Sequence, residues 1–328
     1  MKKITFYLCL VMSVLSGMAY AQEWPNKSIR FISPFAPGGS NDIATRVIAE
    51  KLSPKLQQVI IVENKPGANI RIASEMIAKA DPDGYNFIMV AAPHTTNPAL
   101  YGQLPYDTLR DFTPIVQTVR APLFLMVPAS SPIKTVSELL AASAKQPAGL
   151  NVSSPGNGTA PHLALELFNN LAKSNLNHIP YKGDAPAVTD ILGERVDAGI
   201  HPIISPLPHV KAGKIRVLAV FGSTRSTLLP DVPSLGELGY PNADVYTWFG
   251  LVGPAKLPIR IVDRLNKDVN EILSQPDIKQ RFADMGMETV GGSPEQFSKF
   301  IRDDISKWRD LVAKRKDCSK ILWLCPFA

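Results

Sequence analysis

The chain has 328 residues, of which 45% are hydrophobic and 20% charged, with a formal net charge of +6. Its length allows two compact domains of roughly 100 to 200 residues each, and its ordinary composition excludes a disordered or fibrous protein. Three cysteines are too few for a fold built on disulfides, and 29 prolines predict many turns.

The first 21 residues have the composition of a secretory signal peptide. Two lysines at positions 2 and 3 precede an apolar run at 4–15, and Ala19-Tyr20-Ala21 forms a small-x-small cleavage pattern. Cleavage after Ala21 leaves 307 residues with a net charge of +4, which gives no support for a nucleic-acid partner. Because no later segment approaches the ~20 apolar residues of a membrane helix, we expect an exported, periplasmic protein.

Strand-like and helix-like segments then alternate and predict a parallel sheet with helices on its faces. Runs such as 60–62 and 87–90 are apolar throughout, which is typical of strands buried on both sides. In chain order we predict strands at 29–35, 59–63 and 86–92, with helices at 41–56 and 72–79.

A second α/β unit and a helical end follow. The second unit has predicted strands at 123–127, 150–153 and 215–221, with helices at 136–145, 162–173 and 187–192. After a strand at 248–252, the pattern predicts helices at 259–274, 275–285 and 294–313.

Two apolar extended segments, 123–127 and 248–252, bracket the central unit and are flanked by prolines. If both cross between lobes, residues 22–125 plus 248–313 form lobe 1 and residues 126–247 form lobe 2. Two crossings make a hinge, and a hinge between α/β lobes leaves a cleft.

Three predicted helices begin at short segments of small, polar and glycine residues: 34–42, 153–162 and 181–187. Exposed N–H groups and the helix dipole attract anions at such places. Each segment alone can equally be a structural turn. Because one belongs to the first lobe and two to the second, together they suggest one anionic ligand held from both sides.

The sequence favours no catalytic or metal site. The five histidines show no paired metal spacing, there is no G-x-S-x-G motif, and we predict no cofactor. His162 is either a ligand or acid/base group, or a packing and capping residue of its helix. Cys318 and Cys325, both near the C-terminus, are either bridged or two free thiols.

The chain resembles the extracytoplasmic solute receptors of tripartite tricarboxylate transporters, the Bug family, from about Trp24 to Val312. The segments that carry the resemblance are Trp24-Pro25-Asn26-Lys27-Ser28-Ile29-Arg30, Pro34-Phe35-Ala36-Pro37-Gly38-Gly39, Val62-Glu63-Asn64-Lys65-Pro66-Gly67-Ala68, Pro82-Asp83-Gly84-Tyr85, Asn97-Pro98-Ala99-Leu100-Tyr101, Leu104-Pro105-Tyr106-Asp107, His178-Ile179-Pro180-Tyr181-Lys182-Gly183 and Leu229-Pro230-Asp231-Val232-Pro233-Ser234.

The resemblance implies a type II periplasmic binding fold of class α/β, with two lobes joined by two crossover segments around a cleft. It implies a monomeric, non-enzymatic receptor that captures a small carboxylate and delivers it to transporter membrane subunits. Family members hold the carboxylate largely with backbone groups and bridging waters. The ligand-binding residues that it implies here are Phe35, Gly38, Gly39, Ser40, Asp42, Ala68, Thr95, Asn97, Ser153, Gly156, Gly158, Thr159, His162, Lys182, Gly183 and Asp184.

The chain departs from the family pattern in two places. After Ala68 the family usually continues Gly-Gly, whereas this chain has Asn69-Ile70, and a branched side chain resists a positive φ. Either the loop has moved or the pocket has changed, and Arg71 either contacts the ligand or faces solvent. The tail at 314–328 resembles nothing in the family's usual ending.

Two other functions are compatible with the same sequence. A receptor that signals to a membrane sensor, without feeding transport, needs the same cleft. An exported hydrolase would use Ser, His and Asp residues in that cleft.

Overall fold

The computed structural model describes residues 24–316. The predicted signal peptide, residues 317–328 of the tail and all three cysteines lie outside the described residues. No helix in the described part of the chain combines the length and the apolar character that crossing a membrane requires.

The first lobe is built from both ends of the described chain. Its elements are β1 (Ile29–Ser33), α1 (Ser40–Leu56), β2 (Ile60–Asn64), α2 (Arg71–Ala78), β3 (Asn86–Val90), α3 (Pro93–Leu100), the first part of β4 (Phe112–Pro128), and then β9 (Tyr246–Pro254), α8 (Ile259–Ser274), α9 (Pro276–Ala283), β10 (Glu288–Gly291) and α10 (Pro294–Lys316).

The second lobe comes from the middle of the chain. Its elements are the end of β4, then α4 (Val136–Ala144), β5 (Asn151–Ser154), α5 (Ala160–Ala172), β6 (Asn177–Pro180), α6 (Asp184–Leu192), β7 (Ala198–Pro202), α7 (Leu207–Lys211) and β8 (Ile215–Val220). The exact residue boundaries of the two lobes stay a prediction.

One continuous sheet passes through both lobes in the order β2-β1-β3-β9-β4-β7-β5-β6, with β8 and β10 also paired to β4. Among the named strands of residues 24–316, β1 pairs parallel with β2 and β3, and β5 pairs parallel with β6 and β7. The strands between these groups pair antiparallel, so the parallel sheet predicted from the alternating pattern is found within each lobe and not at the junction.

Strand β4 connects the lobes. Residues 112–122 pair with β9, whereas residues 123–128 pair with β7 and β8. The prediction placed a strand only at 123–127, a segment flanked by prolines. One register shift in the β4–β9 pairing occurs beside Pro114, and such irregularities are where a sheet tolerates proline.

Helices cover both faces of the sheet in the first lobe. Leu52 of α1 and Leu265 of α8 are fully buried on one face, while Phe297 and Ile301 of α10 pack on the other. In the second lobe α5 buries Phe168 and α6 buries Ile191. Because helices fill both faces, the loops at the strand ends are left to form the site.

Candidate functional site

The β1–α1 loop of the first lobe touches the β6–α6 loop of the second. The Ala36 backbone N–H donates to the carbonyl of Lys182 at 2.9 Å, and the Ser40 N–H donates to the Asp184 carboxylate at 3.2 Å. Ser205 adds a hydroxyl bond to the Gly38 carbonyl at 3.3 Å. The two predicted glycine-rich helix entries therefore face each other.

Close approach at this contact needs glycine at position 183. Gly183 has φ of +136°, and a Cβ there would lie 3.0 Å from the backbone nitrogen of Ala36. Gly39 approaches the second lobe nearly as closely, because a Cβ on it would lie 3.5 Å from the backbone nitrogen of Asp184. Backbone thus meets backbone across the lobes.

The third glycine-rich loop, between β5 and α5, meets the first lobe at α3. The Thr96 hydroxyl donates to the carbonyl of Gly158 at 2.9 Å. Gly158 has φ of +65°, and a Cβ there would lie 2.8 Å from Thr96 Oγ1 and 3.3 Å from Asn69 Nδ2. All three predicted loops therefore converge on the junction between the lobes.

A cavity of about 1200 Å³ lies between these loops. Residues of both lobes line it: 34–35, 67–71 and 100–101 from the first, and 148, 155–157, 162, 166, 175–178 and 180–182 from the second. Prolines at the starts of α5 and α6 occupy the first turn, where no intrahelical N–H is lost, and they help to end the loops that form this wall.

Five of the predicted site residues line the cavity: Phe35, Ala68, Gly156, His162 and Lys182. The remaining predicted residues lie behind or beside its wall, where most hold the loops in place. They are Gly38, Gly39, Ser40, Asp42, Thr95, Asn97, Ser153, Gly158, Thr159, Gly183 and Asp184.

Asp42 organises the β1–α1 loop. Its carboxylate accepts the Gly38 N–H at 2.9 Å and the Asn64 side-chain amide at 2.9 Å, and it pairs with Arg46 at 3.0 Å. Burial is the largest single influence and raises the pKa of Asp42, but these three partners together outweigh it and lower the pKa. Asp42 is therefore ionised and orients the loop amides.

Thr95 and Asn97 have different partners although both belong to α3. Thr95 Oγ1 lies 2.8 Å from the Ala92 carbonyl and 2.5 Å from Asp304, so it connects α3 to α10. Asn97 forms a reciprocal pair with Asn69, through bonds of 2.6 and 2.9 Å. Asn97 thereby supports a loop that lines the cavity.

His162 and His178 stack, with ring centroids 4.0 Å apart and planes 17° from parallel. His162 Nδ1 accepts the Gly158 N–H at 2.9 Å, so this nitrogen carries no proton, and His178 Nε2 lies 2.6 Å from Ser154 Oγ. Burial, and then the neighbouring His162, lower the pKa of His178 to about 2. His162 therefore both caps its loop and lines the cavity, beside a neutral His178.

Ser153, His201 and Asp184 have the order of contacts of a hydrolytic triad. Ser153 Oγ lies 3.1 Å from His201 Nε2, and His201 Nδ1 lies 2.9 Å from Asp184. However, Ser153 and His201 are fully buried, and none of the three lines the cavity. A nucleophile needs access to its substrate, so this arrangement acts as a structural network behind the site.

Several cavity residues were not predicted: Asn69, Ile70, Tyr101, Glu166 and His178. Glu166 lies one helical turn after His162, so the i, i+4 spacing on α5 was a usable signal. His178 precedes the predicted β6–α6 loop, but nothing in its neighbours indicated that it stacks on His162.

Residues 68–70, where the sequence departs from the family pattern, have an unusual backbone conformation. Ala68, Asn69 and Ile70 have φ of 45°, 53° and 61°, three left-handed residues in succession. For a β-branched residue such as Ile70 this conformation costs on the order of 1–3 kcal/mol. The side chain of Ile70 is 1% exposed, so its burial in the core offsets part of that cost.

Comparison with known proteins gives a consistent result. A model of the tripartite tricarboxylate transporter family receptor matches residues 44–316. Among solved structures, R. palustris Rpa4515 with adipate has a TM-score of 0.85 at 32% identity, covering 89% of this chain and 98% of that one. The periplasmic binding protein BugD has a TM-score of 0.84 at 31% identity, with the same coverage of both chains. MatC from Rhodopseudomonas palustris with bound malate has a TM-score of 0.83 at 30% identity, covering 88% and 100%. These similarities confirm the predicted fold class.

Proposed function

This chain belongs to the tripartite tricarboxylate transporter receptor family, and we propose that it captures a small carboxylate and delivers it to transporter membrane subunits. The family and fold are those of periplasmic solute-binding receptors. The proposal also includes four further points: the ligand class, delivery to a transporter, export by a signal peptide, and closure about a hinge.

One observation carries the proposal: the three glycine-rich loops enclose a cavity between the lobes. Among the described residues, two cations, Arg71 and Lys182, and one carboxylate, that of Glu166, line the cavity, so the lining favours an anion. Relatives with 30% and 32% identity are solved with malate and adipate, which are both small dicarboxylates.

The contacts between the lobes support closure around the ligand. They include hydrogen bonds donated across the junction by Ala36, Ser40 and Thr96, which can break when the lobes separate, and an apolar contact, because Ile204 of the second lobe packs in the core of the first. Strand β4 and the segment before β9 are continuous between the lobes and would act as the hinge.

Calorimetric titration and thermal melting of the mature protein test the ligand class. Adipate, malate, citrate, aspartate and benzoate form the panel, and 1,6-hexanediol is the neutral control for adipate. A bound carboxylate at about 100 times its Kd should add ~2.7 kcal/mol to the free energy of unfolding. If a well-folded protein binds no member of an expanded acid panel, the receptor proposal fails.

Delivery is tested separately, by uptake of the identified ligand into cells that carry the membrane subunits. Uptake should require the receptor, and its rate should reach a plateau as the receptor concentration rises. Binding without any receptor-dependent uptake would favour the signalling alternative.

A further inference from the structure

The loop at residues 67–71 places an arginine at the wall of the cavity. Its three left-handed residues reverse the chain, and α2 begins directly after them at Arg71. The buried side chain of Ile70 and the pair between Asn69 and Asn97 hold the reversal in place. Arg71 therefore projects from a rigid support.

The guanidinium group of Arg71 is oriented by two contacts within the first lobe. Its Nε donates to the carbonyl of Ala68 at 2.9 Å, and its central carbon lies 4.1 Å from the ring centroid of Tyr101. Both Ala68 and Tyr101 also line the cavity. Stacking and the Nε bond leave the two terminal nitrogens as the groups available to a ligand.

Arg71 differs from most arginines in the described part of the chain. Arg30, Arg46, Arg195 and Arg281, for example, each pair with a protein carboxylate. Within residues 24–316, Arg71 has no such ion pair, and no protein acceptor bonds its terminal nitrogens. A half-buried arginine without a protein anion, at the wall of a cavity, is suited to an anion from outside.

We propose that Arg71 binds the second carboxylate of a dianionic ligand and so makes the receptor selective for dicarboxylates over monocarboxylates. This inference rests on the proposed function. A guanidinium group matches a carboxylate in charge and geometry, and it would discriminate little among ligands that lack a second carboxylate. The glycine-rich loops would hold the first carboxylate.

The test is a calorimetric comparison of matched acids on the wild-type protein and on Arg71→Gln. Succinate, glutarate and adipate are paired with butyrate, pentanoate and hexanoate. We expect the wild type to prefer the best diacid over its matched monoacid by at least about tenfold, as for a charge-assisted hydrogen bond. Arg71→Gln should remove that preference while its affinity for the monoacid stays the same.

Two further variants separate ligand contact from structural support. Arg71→Lys keeps the charge and should retain part of the preference, and Arg260→Gln, which alters an exposed arginine of α8, should retain all of it. Equal weakening of diacid and monoacid in Arg71→Gln, or an unchanged preference, overturns the role of Arg71 but leaves the receptor function standing. A wild type that binds none of the acids overturns both.

Discussion

The carboxylate of Asp184 accepts a hydrogen bond from the backbone N–H of Ser40, 144 positions away in sequence, at 3.2 Å. Ser40 is the first residue of α1 in the first lobe, and Asp184 is the first residue of α6 in the second. The other carboxylate oxygen lies 2.9 Å from His201 Nδ1. One side chain therefore joins the positive end of a helix in one lobe to the buried network of the other.

Asp184→Asn should weaken ligand binding. The amide keeps the shape of the side chain but removes the negative charge at the N-terminus of α1, so the contact between the lobes loses a charge-assisted bond. We expect calorimetry to show a rise of about tenfold in the Kd, which is a loss of ~1.4 kcal/mol in binding free energy. Asp231→Asn, which changes an exposed carboxylate of the same lobe, is the control. An unchanged Kd in Asp184→Asn would show that this bond does not contribute to the binding-competent state.

Gly39→Val should impair binding more than folding. Gly39 has φ of −77°, which any residue can adopt, so the substitution introduces little backbone strain. Its Cβ would lie 3.3 Å from the Ala36 carbonyl and 3.5 Å from the Asp184 nitrogen, so the two methyl groups would push the lobes apart. We expect at least about a tenfold loss of affinity with a small change in Tm. Gly102→Val, with nothing within 4 Å of its Cβ, is the matched control. Wild-type affinity in Gly39→Val would mean that the loop is only a connector.

Gly250→Ala should destabilise the protein. Gly250 lies on β9, and a Cβ there would be 2.2 Å from the ring of Phe297 on α10. That ring cannot move freely, because it is 2% exposed and packs edge-on against Trp248 at 5.9 Å. Urea unfolding should show a loss of about 1–3 kcal/mol, as for an overpacked core. Gly102→Ala should change little by the same measurement, and equal stability of the two variants would contradict this packing argument.

The protein should lose stability as the pH falls below about 6.5. Burial lowers the pKa of His94 to about 3, so the native state stays neutral where the unfolded state takes up a proton. The pKa of this group is 6.5 in the unfolded state and about 3 in the native state, so the unfolded state binds more protons between these values. Well inside that range, the free energy of unfolding falls by about 1.4 kcal/mol for each pH unit of acidification. His178, with its pKa lowered to about 2 by burial and by His162, acts in the same direction.

His94→Phe isolates this contribution. Within the described residues neither ring nitrogen of His94 has a hydrogen-bond partner, and the ring packs edge-on against Phe112 at 4.9 Å, so an apolar ring can replace it. Between pH 6 and pH 5 the free energy of unfolding, measured in urea, should fall less for the variant, by about 1.2 kcal/mol, because the unfolded histidine is already largely protonated at pH 6. The comparison uses the change in unfolding free energy between the two pH values, because any effect of the substitution on packing is the same at both and cancels. Equal drops would show that His94 does not cause the acid sensitivity.

Local patterns predicted the elements whose burial follows a simple period. The helix predicted at 259–274 has the same bounds in the structure, because its apolar residues recur with the helical repeat. Helix α3 was not predicted, since it contains two prolines and a run of four polar residues. It is stabilised by tertiary contacts such as that between Thr95 and Asp304 of α10.

Strand β10 also escaped prediction. Its four residues are exposed or half-buried, and it forms by pairing with the distant residues 117–120 of β4. Contacts between residues far apart in sequence also limited the prediction of the site. The glycine-rich loops were predicted from composition and helix position, but the stacking of His162 on His178 depends on two elements brought together only by folding.

The sequence by itself determined the α/β class, most helices and strands, the family and the three loops at the lobe junction, because these follow from local periodicity, turn chemistry and ordered motifs. Only the tertiary structure decided which loop residues line the cavity and which support it, and that Arg71 lies there without an anionic partner among residues 24–316. The physical reason is that a side chain's role at a junction depends on its distance to residues far away in sequence. Those distances are set by the packing of whole lobes, which no local pattern encodes.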